Sequence, residues 1–204
     1  MSGHYFDEQP GAEDRRREID IRLAGRDLRV ITSSGTFSPD RLDKATEALL
    51  DEVPLPTSAG TYLDLGCGWG PIALALALSA PGSTVWAVDV NERARELTAL
   101  NSQRHRAGVR VAAPTDVPGE VEFDEIWSNP PVRIGKDALH VLLAMWMPRL
   151  KRDGHAYLVI GKNLGSDPLQ RWLTDGGWPT ERIASSRGFR VLRVAARRAK
   201  EQDL

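Results

Sequence analysis

Apolar and polar positions alternate over residues 19–23 and again over 28–31, on either side of Gly25-Arg26-Asp27, a pattern that predicts a β-hairpin. Residues 1–18 are polar and charged and predict an irregular arm. Ser38-Pro39-Asp40 then has the order of a helix start: a serine cap, a proline at the first helical position and an acid in the first turn. Leu42, Ala45, Leu49 and Leu50 give that helix an apolar stripe ending at Val53-Pro54. From there the hydrophobic period switches regularly between that of strands and that of helices. Strands are expected over 61–65, 84–89, 109–112, 125–128 and 156–160, and helices over 70–78, 92–105, 136–150 and 167–173. Two last strands, 180–184 and 189–195, are separated only by Ser185-Ser186-Arg187-Gly188 and are expected to form an antiparallel edge hairpin. Such alternation implies an α/β fold of Rossmann-like type, a mostly parallel sheet with helices on both faces. The expected division is an arm and hairpin extension over 1–36 and a single α/β domain over 37–200.

In an open α/β sheet, ligands sit at the carboxyl ends of the strands. The loop after the first strand of the alternation reads Asp64-Leu65-Gly66-Cys67-Gly68-Trp69-Gly70-Pro71. Glycines at 66, 68 and 70 let backbone approach a ligand that side chains would hold off. Dinucleotide sites use Gly-x-Gly-x-x-Gly to seat a pyrophosphate on a helix N-terminus. The spacing here is Gly-x-Gly-x-Gly, and Asp64 two residues ahead would repel pyrophosphate. An acid there suits the sulfonium and ammonium of S-adenosylmethionine, which is therefore the expected cofactor over NAD or a purely structural turn. Asp89, at the end of the second strand, is placed to accept both ribose hydroxyls, the alternative being a helix cap that Asn91 fills better. Asp116 follows the third strand and is expected at the adenine amino group, or else is an exposed turn residue. Cys67 and Val90, interleaved with these, and Asn129 after the fourth strand also belong to the expected cofactor set. Phe37, an aromatic in Gly35-Thr36-Phe37-Ser38, is expected to cover the cofactor as part of a lid, with Thr36 and Ser38 setting the turn; packing against the hairpin is the other reading.

Ser128-Asn129-Pro130-Pro131 ends the fourth strand. Consecutive prolines stiffen the chain and lack N–H groups. If the Asn129 side-chain oxygen and the Pro130 carbonyl accept the two hydrogens of an amine whose lone pair is delocalised, the nitrogen pyramidalises and its lone pair is aimed. That is catalysis by orientation and dipole placement, without a strong base. Asn129, Pro130 and Pro131 are thus the candidate catalytic residues, and alone they would read as an ordinary strand-ending turn. Together with the glycine loop they point to methyl transfer onto an amine or amide nitrogen, most simply one on a nucleobase.

Composition adds mainly exclusions. The chain has 204 residues, 41% hydrophobic and 27% charged, with a net charge of −1. The apolar run over 72–78 is too short to span a bilayer, and residues 1–8 show no signal-peptide pattern, so a cytoplasmic protein is expected. One cysteine and four histidines offer no internal disulfide and no zinc spacing, so no metal is expected. Basic residues cluster at Arg15-Arg16-Arg17 and among Arg187, Arg190, Arg193, Arg197, Arg198 and Lys200. Local basic patches, not net charge, drive nucleic-acid binding, and a solvated charged surface is the plainer reading of each cluster.

Nearly end to end, the chain resembles the "methyltransferase small" family of class I S-adenosylmethionine-dependent methyltransferases, of the ribosomal RNA guanine-N2 type. The resemblance rests on His4-Tyr5-Phe6, Ser34-Gly35-Thr36-Phe37-Ser38 with Leu42-Asp43, Leu63 to Gly70, Asp89, Asn129-Pro130-Pro131-Val132-Arg133-Ile134-Gly135-Lys136, and Gly188-Phe189-Arg190-Val191-Leu192. It implies an RNA substrate, ribosomal RNA or a ribosomal subunit, with guanine N2 as acceptor. Val132 stands where many relatives place a base-stacking Phe or Tyr, as in a single-domain subgroup. The resemblance to that subgroup implies that the second, degenerate domain that longer relatives use to hold RNA is not expected here. Substrate contact is expected at Val132, Arg133, Lys136 and the N-terminal arm; Arg133 could instead pair with Asp137. Rival readings are a protein glutamine or small-molecule N-methyltransferase and a non-catalytic RNA-binding protein. The intact Asp64, Gly66, Gly68, Asp89 and Asn129 argue against the last.

Overall fold

The computed structural model describes residues 14–131 and 135–197. β1 (Arg16–Leu23) and β2 (Arg26–Ser33) pair antiparallel along their whole length as the expected hairpin. β1 begins inside the stretch expected to be irregular. Arg16, Arg17 and Glu18 are exposed on this two-stranded ribbon, so no buried face imposes an alternation there.

α1 (Lys44–Glu52) starts five residues later than Ser38-Pro39-Asp40 suggests. Asp43 caps it, its carboxylate accepting from the N–H groups of Ala45 and Thr46, which a serine at 38 cannot match. Ser38 adopts a left-handed φ of 48° instead, in a turn closed by its hydroxyl donating to the Arg41 carbonyl at 2.8 Å.

The alternation then follows as β3 (Thr61–Leu65), α2 (Pro71–Ser79), β4 (Thr84–Val88), α3 (Glu92–Arg104), β5 (Arg110–Ala112) and β6 (Phe123–Ser128). It continues through α4 (Lys136–Trp146), β7 (Leu150–Gly161), α5 (Ser166–Asp175), β8 (Thr180–Ser186) and β9 (Phe189–Ala195). α4 is shorter than expected. Pro148 cannot donate to the helix ladder, the chain tightens into a 3₁₀ turn at Met147–Arg149, and Leu150 already pairs with Phe123 as β7 begins.

Seven strands form one sheet in the order β5-β4-β3-β6-β7-β9-β8. β3 through β7 run parallel, and β9 and β8 close the edge as the expected antiparallel hairpin. From β3 the chain builds outward on one side through β4 and β5, then returns to lay β6 on the other side. The β3–β6 seam is therefore the switch point at which a ligand crevice opens.

α2, Pro-Ile-Ala-Leu-Ala-Leu-Ala-Leu-Ser, is apolar all round, as a helix covered on two sides must be. Ile72, Ala73 and Leu76 pack with Tyr62, Val85 and Ala87 of the sheet. Leu74 and Ala75 pack with Leu23, Leu28 and Val30 of the hairpin and with Trp69 and Leu97. Among the described residues no helix is long and apolar enough to cross a membrane.

A buried polar clamp fixes the hairpin. Asn101, fully buried on α3, donates to the carbonyls of Ile31 and Trp69, each at 2.9 Å, and accepts from the Ile31 N–H at 2.7 Å. Its amide thus joins β2 to the glycine loop as an extra strand residue would. Asn101→Ala leaves those backbone groups without their partner, and we expect a loss of about 3 kcal/mol. Chemical denaturation should show it, with faster hydrogen exchange at the Ile31 amide. Wild-type stability and protection would mean that the hairpin is held by its apolar face alone.

Candidate functional site

The loop between β3 and α2 is built to present backbone. Gly66, Gly68 and Gly70 have φ of +80°, +57° and +92°, a region that side chains disfavour. At Gly70 a Cβ would also lie 2.9 Å from the Thr98 side chain, so bulk is excluded there twice over. The N–H groups of Gly66 and Cys67 both donate to the Val88 carbonyl, at 2.8 and 3.1 Å, which hangs the loop from the end of β4. The Thr98 hydroxyl donates to the Gly68 carbonyl at 2.9 Å.

Behind the loop, Asp64 is fully buried on β3. One carboxyl oxygen accepts from the Ala73 N–H at 2.9 Å, tying β3 to the first turn of α2. The other, Oδ1, has no hydrogen-bond partner among the described residues. Burial pushes this carboxyl up to about 8, the nearby Asp89 adding to the shift against the Ala73 bond. Such a carboxyl holds its proton well above the ordinary carboxylate range, which the sequence alone does not suggest. Asp89 ends β4 as expected. Its oxygens accept from the Gly68 N–H at 3.0 Å and the Asn91 N–H at 2.9 Å, and burial raises its pKa too. Asn91 caps α3, as its position predicts. Arg95 donates to the carbonyls of Asp89 and Val90, fixing the turn that carries both.

The acceptor side of the crevice lies on β6. The Ser128 hydroxyl donates to the Leu65 carbonyl at 2.6 Å, so the ends of β3 and β6 are joined where their loops diverge. Asn129 follows, half-buried, with Pro130 buried and Pro131 exposed. The Asn129 amide donates from Nδ2 to the Asp43 carboxylate at 2.9 Å and to the Thr46 hydroxyl oxygen at 3.0 Å.

Phe37, Asp43, Thr46, Gly66, Cys67, Gly68 and Asn129 line one cleft, together with Ser38, Trp69, Pro71 and Ile72. Phe37 is 59% exposed beside it, an unusual position for an aromatic outside the core. The Thr36 hydroxyl donates to the Ser33 carbonyl at 2.6 Å and the Trp69 indole N–H to the Ser38 carbonyl at 3.3 Å, so this turn is pinned to the glycine loop. Cys67 is buried, and burial raises its thiol pKa. Asp116 is not brought into the cleft. It is exposed in the 3₁₀ turn Pro114–Asp116, accepting from the Thr115 hydroxyl at 3.2 Å. Lys136 is exposed at the start of α4, while Val132 and Arg133 lie outside the described residues. Asp43 and Thr46 carry no motif of their own as site residues. Only their approach to Asn129 across more than eighty residues of chain reveals them. No cluster of metal-binding side chains is present among the described residues.

The basic clusters are largely neutralised. Arg16 pairs with Asp14 and Glu96, Arg17 with Asp40, Arg187 with Glu47 and Asp51, Arg190 with Asp167, and Arg193 with Glu181. Arg197 lies over the Trp178 ring at 4.6 Å, and Arg198 and Lys200 fall outside the described residues. The solvated charged surface is thus the better account of these arginines.

The family model of the methyltransferase small domain matches residues 27–193. The chain is 34% identical over 198 residues to the uncharacterized protein YbxB of Bacillus subtilis, covering 95% of this chain and 98% of that protein. It is 35% identical over 162 residues to the ribosomal RNA small subunit methyltransferase C of Shewanella amazonensis, covering 76% of this chain and 47% of that one. The solved structure of a T. thermophilus 16S rRNA N2 methyltransferase in complex with AdoMet and guanosine superimposes with a TM-score of 0.79 at 23% identity, over 94% of this chain and 53% of that one. The chain therefore spans nearly all of YbxB but about half the length of these named RNA methyltransferases.

The buried Asp64 has a measurable signature. Its pKa is raised from 3.8 to about 8, so between those values the folded state keeps a proton that the unfolded state has lost. Stability from this group then falls as pH rises through that window and levels off above it. Asp64→Asn keeps an oxygen for the Ala73 N–H but cannot ionise. Its melting temperature should decline less than that of the wild type between pH 5 and pH 8. Parallel melting profiles for the two proteins would show that Asp64 is already ionised at neutral pH.

Proposed function

We propose that this chain, which belongs to the methyltransferase small domain family and is an S-adenosylmethionine-dependent methyltransferase, methylates an exocyclic base amine of RNA, ribosomal guanine N2 being the leading candidate. The observation that carries the reading is the Asn129 amide beside the glycine loop, with both Nδ2 hydrogens already committed. Its Oδ1 is left to accept from an incoming amine. The named ribosomal RNA relatives and the guanosine held by the T. thermophilus enzyme support RNA as the acceptor.

The residues present fit the cofactor. Gly66, Gly68 and Gly70 leave backbone open to it. Each Asp89 oxygen takes one backbone donor and keeps lone pairs for ribose hydroxyls. Asp64 Oδ1 is a buried oxygen with no partner among the described residues, and a cationic ligand beside it would draw the carboxyl back toward its ionised form. Phe37, exposed beside the cleft, would cover the adenosine or methionine portion, and Cys67 and Val90 would border it. When bound, S-adenosylmethionine supplies an electrophilic methyl group on sulfur. Asn129 Oδ1 and the Pro130 carbonyl accept the two amine hydrogens, which withdraws the lone pair from the ring and turns it toward that methyl. The nitrogen becomes acidic once alkylated and yields its proton to water, so no strong base is needed. Pro131 stiffens the loop.

Radioactive methyl transfer to ribosomal RNA, to intact small subunits and to a protein extract tests the acceptor. Label in RNA, mapping to guanine N2, is expected. Label confined to protein would place the chain among glutamine-side-chain methyltransferases, and label in neither would point to a small-molecule acceptor. Asn129→Ala should remove most turnover while cofactor affinity changes little, because the lost contact matters mainly in the transition state. A large loss of cofactor affinity would assign Asn129 to cofactor binding instead.

Lys136, exposed in the first turn of α4 a few residues after the Asn-Pro-Pro segment, is a candidate for contact with an RNA phosphate. Lys136→Ala should raise the apparent KM for RNA and reduce the slope of log KM against log salt by about 1. An unchanged slope would exclude it from RNA contact.

A further inference from the structure

The Asn129 amide can be held in only one sense. Nδ2 donates one hydrogen to Asp43 Oδ2 at 2.9 Å and the other to Thr46 Oγ1 at 3.0 Å. Reversing the amide would set its carbonyl oxygen against a carboxylate oxygen, and a carboxylate has no hydrogen to give. Oδ1 is therefore turned away from Asp43. The same Asp43 oxygen also accepts from the N–H groups of Ala45 and Thr46, at 2.8 and 3.2 Å. It is fixed by the first turn of α1, and Thr46 is buried.

We propose that Asp43 and Thr46 are positioning residues for methyl transfer, which set the sense of the Asn129 amide from the N-terminus of α1. The inference rests on the reading of Asn129 as the residue that orients the acceptor amine. Asp43 has a second effect through Asn129. A negative charge behind the NH₂ group polarises the amide and makes Oδ1 a stronger acceptor. During transfer the nitrogen lone pair forms the N–C bond, the C–S pair leaves on sulfur, and the nitrogen carries positive charge until its proton passes to water. An oxygen made more negative by Asp43 binds that N–H more tightly in the transition state than in the ground state. The contribution belongs to kcat rather than to KM or cofactor affinity.

Double-mutant cycles test this. Thr46→Val removes the hydroxyl without touching the helix cap, and Asp43→Ala removes both the cap and the charge. Each should lower kcat about tenfold or more in the wild-type background, with the Kd for S-adenosylhomocysteine nearly unchanged. In an Asn129→Ala background each should change kcat by less than about twofold, because the group they act through is gone. Asp43→Asn keeps an oxygen for the cap and for Nδ2 but no charge, so its kcat should fall between those of Asp43→Ala and the wild type. Equal losses in both backgrounds would reduce Asp43 and Thr46 to structural residues and overturn the proposal.

The cycle is run on ribosomal RNA, or on whichever acceptor the wild-type chain labels. A second readout needs no acceptor. The side-chain NH₂ signals of Asn129, assigned by their loss in Asn129→Ala, should shift and exchange faster with water in Thr46→Val and Asp43→Ala. Unchanged signals in both variants refute the positioning role. Failure of RNA labelling alone refutes the choice of acceptor.

Discussion

A single buried hydrogen bond, from the Ser128 hydroxyl to the Leu65 carbonyl, joins the ends of the two strands from which the site is made. β3 and β6 are parallel neighbours at the point where strand order reverses, with Asp64 in register with Trp127. The glycine loop and the Asn-Pro-Pro loop therefore leave the sheet side by side. In the proposed reaction a methyl donor and an amine acceptor must meet within a few ångströms, and the loops that would hold them are already neighbours. A Cβ built at Gly66 would lie 3.9 Å from the Pro131 ring, so the loops remain in contact beyond the strand ends.

Two further elements close around that seam. α1 approaches from its N-terminus and lends Asp43 and Thr46 to the acceptor loop. The hairpin, just ahead of α1 in the chain, is tied in as well: Asn101 links Ile31 to Trp69, and Trp69 in turn holds the Phe37-Ser38 turn through the Ser38 carbonyl. Ser38 sits there with a left-handed φ of 48°, a local strain that surrounding hydrogen bonds must offset. The extension thus helps hold the turn that lines the cleft as well as covering α2, which explains why so apolar a helix is tolerated in the middle of the chain.

The strands, the edge hairpin and the glycine loop were legible because each is written in local pattern: period, glycine spacing and turn residues. Asp89 and Asn91 were legible because a strand end and a helix cap place them within two residues of each other. The start of α1 was not. Ser38-Pro39-Asp40 carries every local sign of a helix N-terminus, and the competing Asp43 wins through bonds that also serve Asn129. The arginine clusters were misleading for the same reason. Arg187 meets Glu47 and Asp51 across the sheet, and Arg16 meets Glu96 on α3, pairings that no window of sequence contains. The raised pKa of Asp64 is equally non-local, since complete burial is a property of the folded sheet. Asp116, whose expected role rests on its place after β5, is exposed outside the cleft.

A crystal structure with S-adenosylhomocysteine and guanosine would show whether Asn129 Oδ1, turned by Asp43, receives an amine beside the glycine loop. The guanosine N2 is expected at hydrogen-bond distance from Asn129 Oδ1, about 2.8–3.2 Å, with Nδ2 still on Asp43 and Thr46 and the nucleoside sulfur on the Gly66–Gly68 side. Guanosine bound with its N2 remote from Asn129, or an Asn129 amide released from Asp43 in the complex, would contradict it.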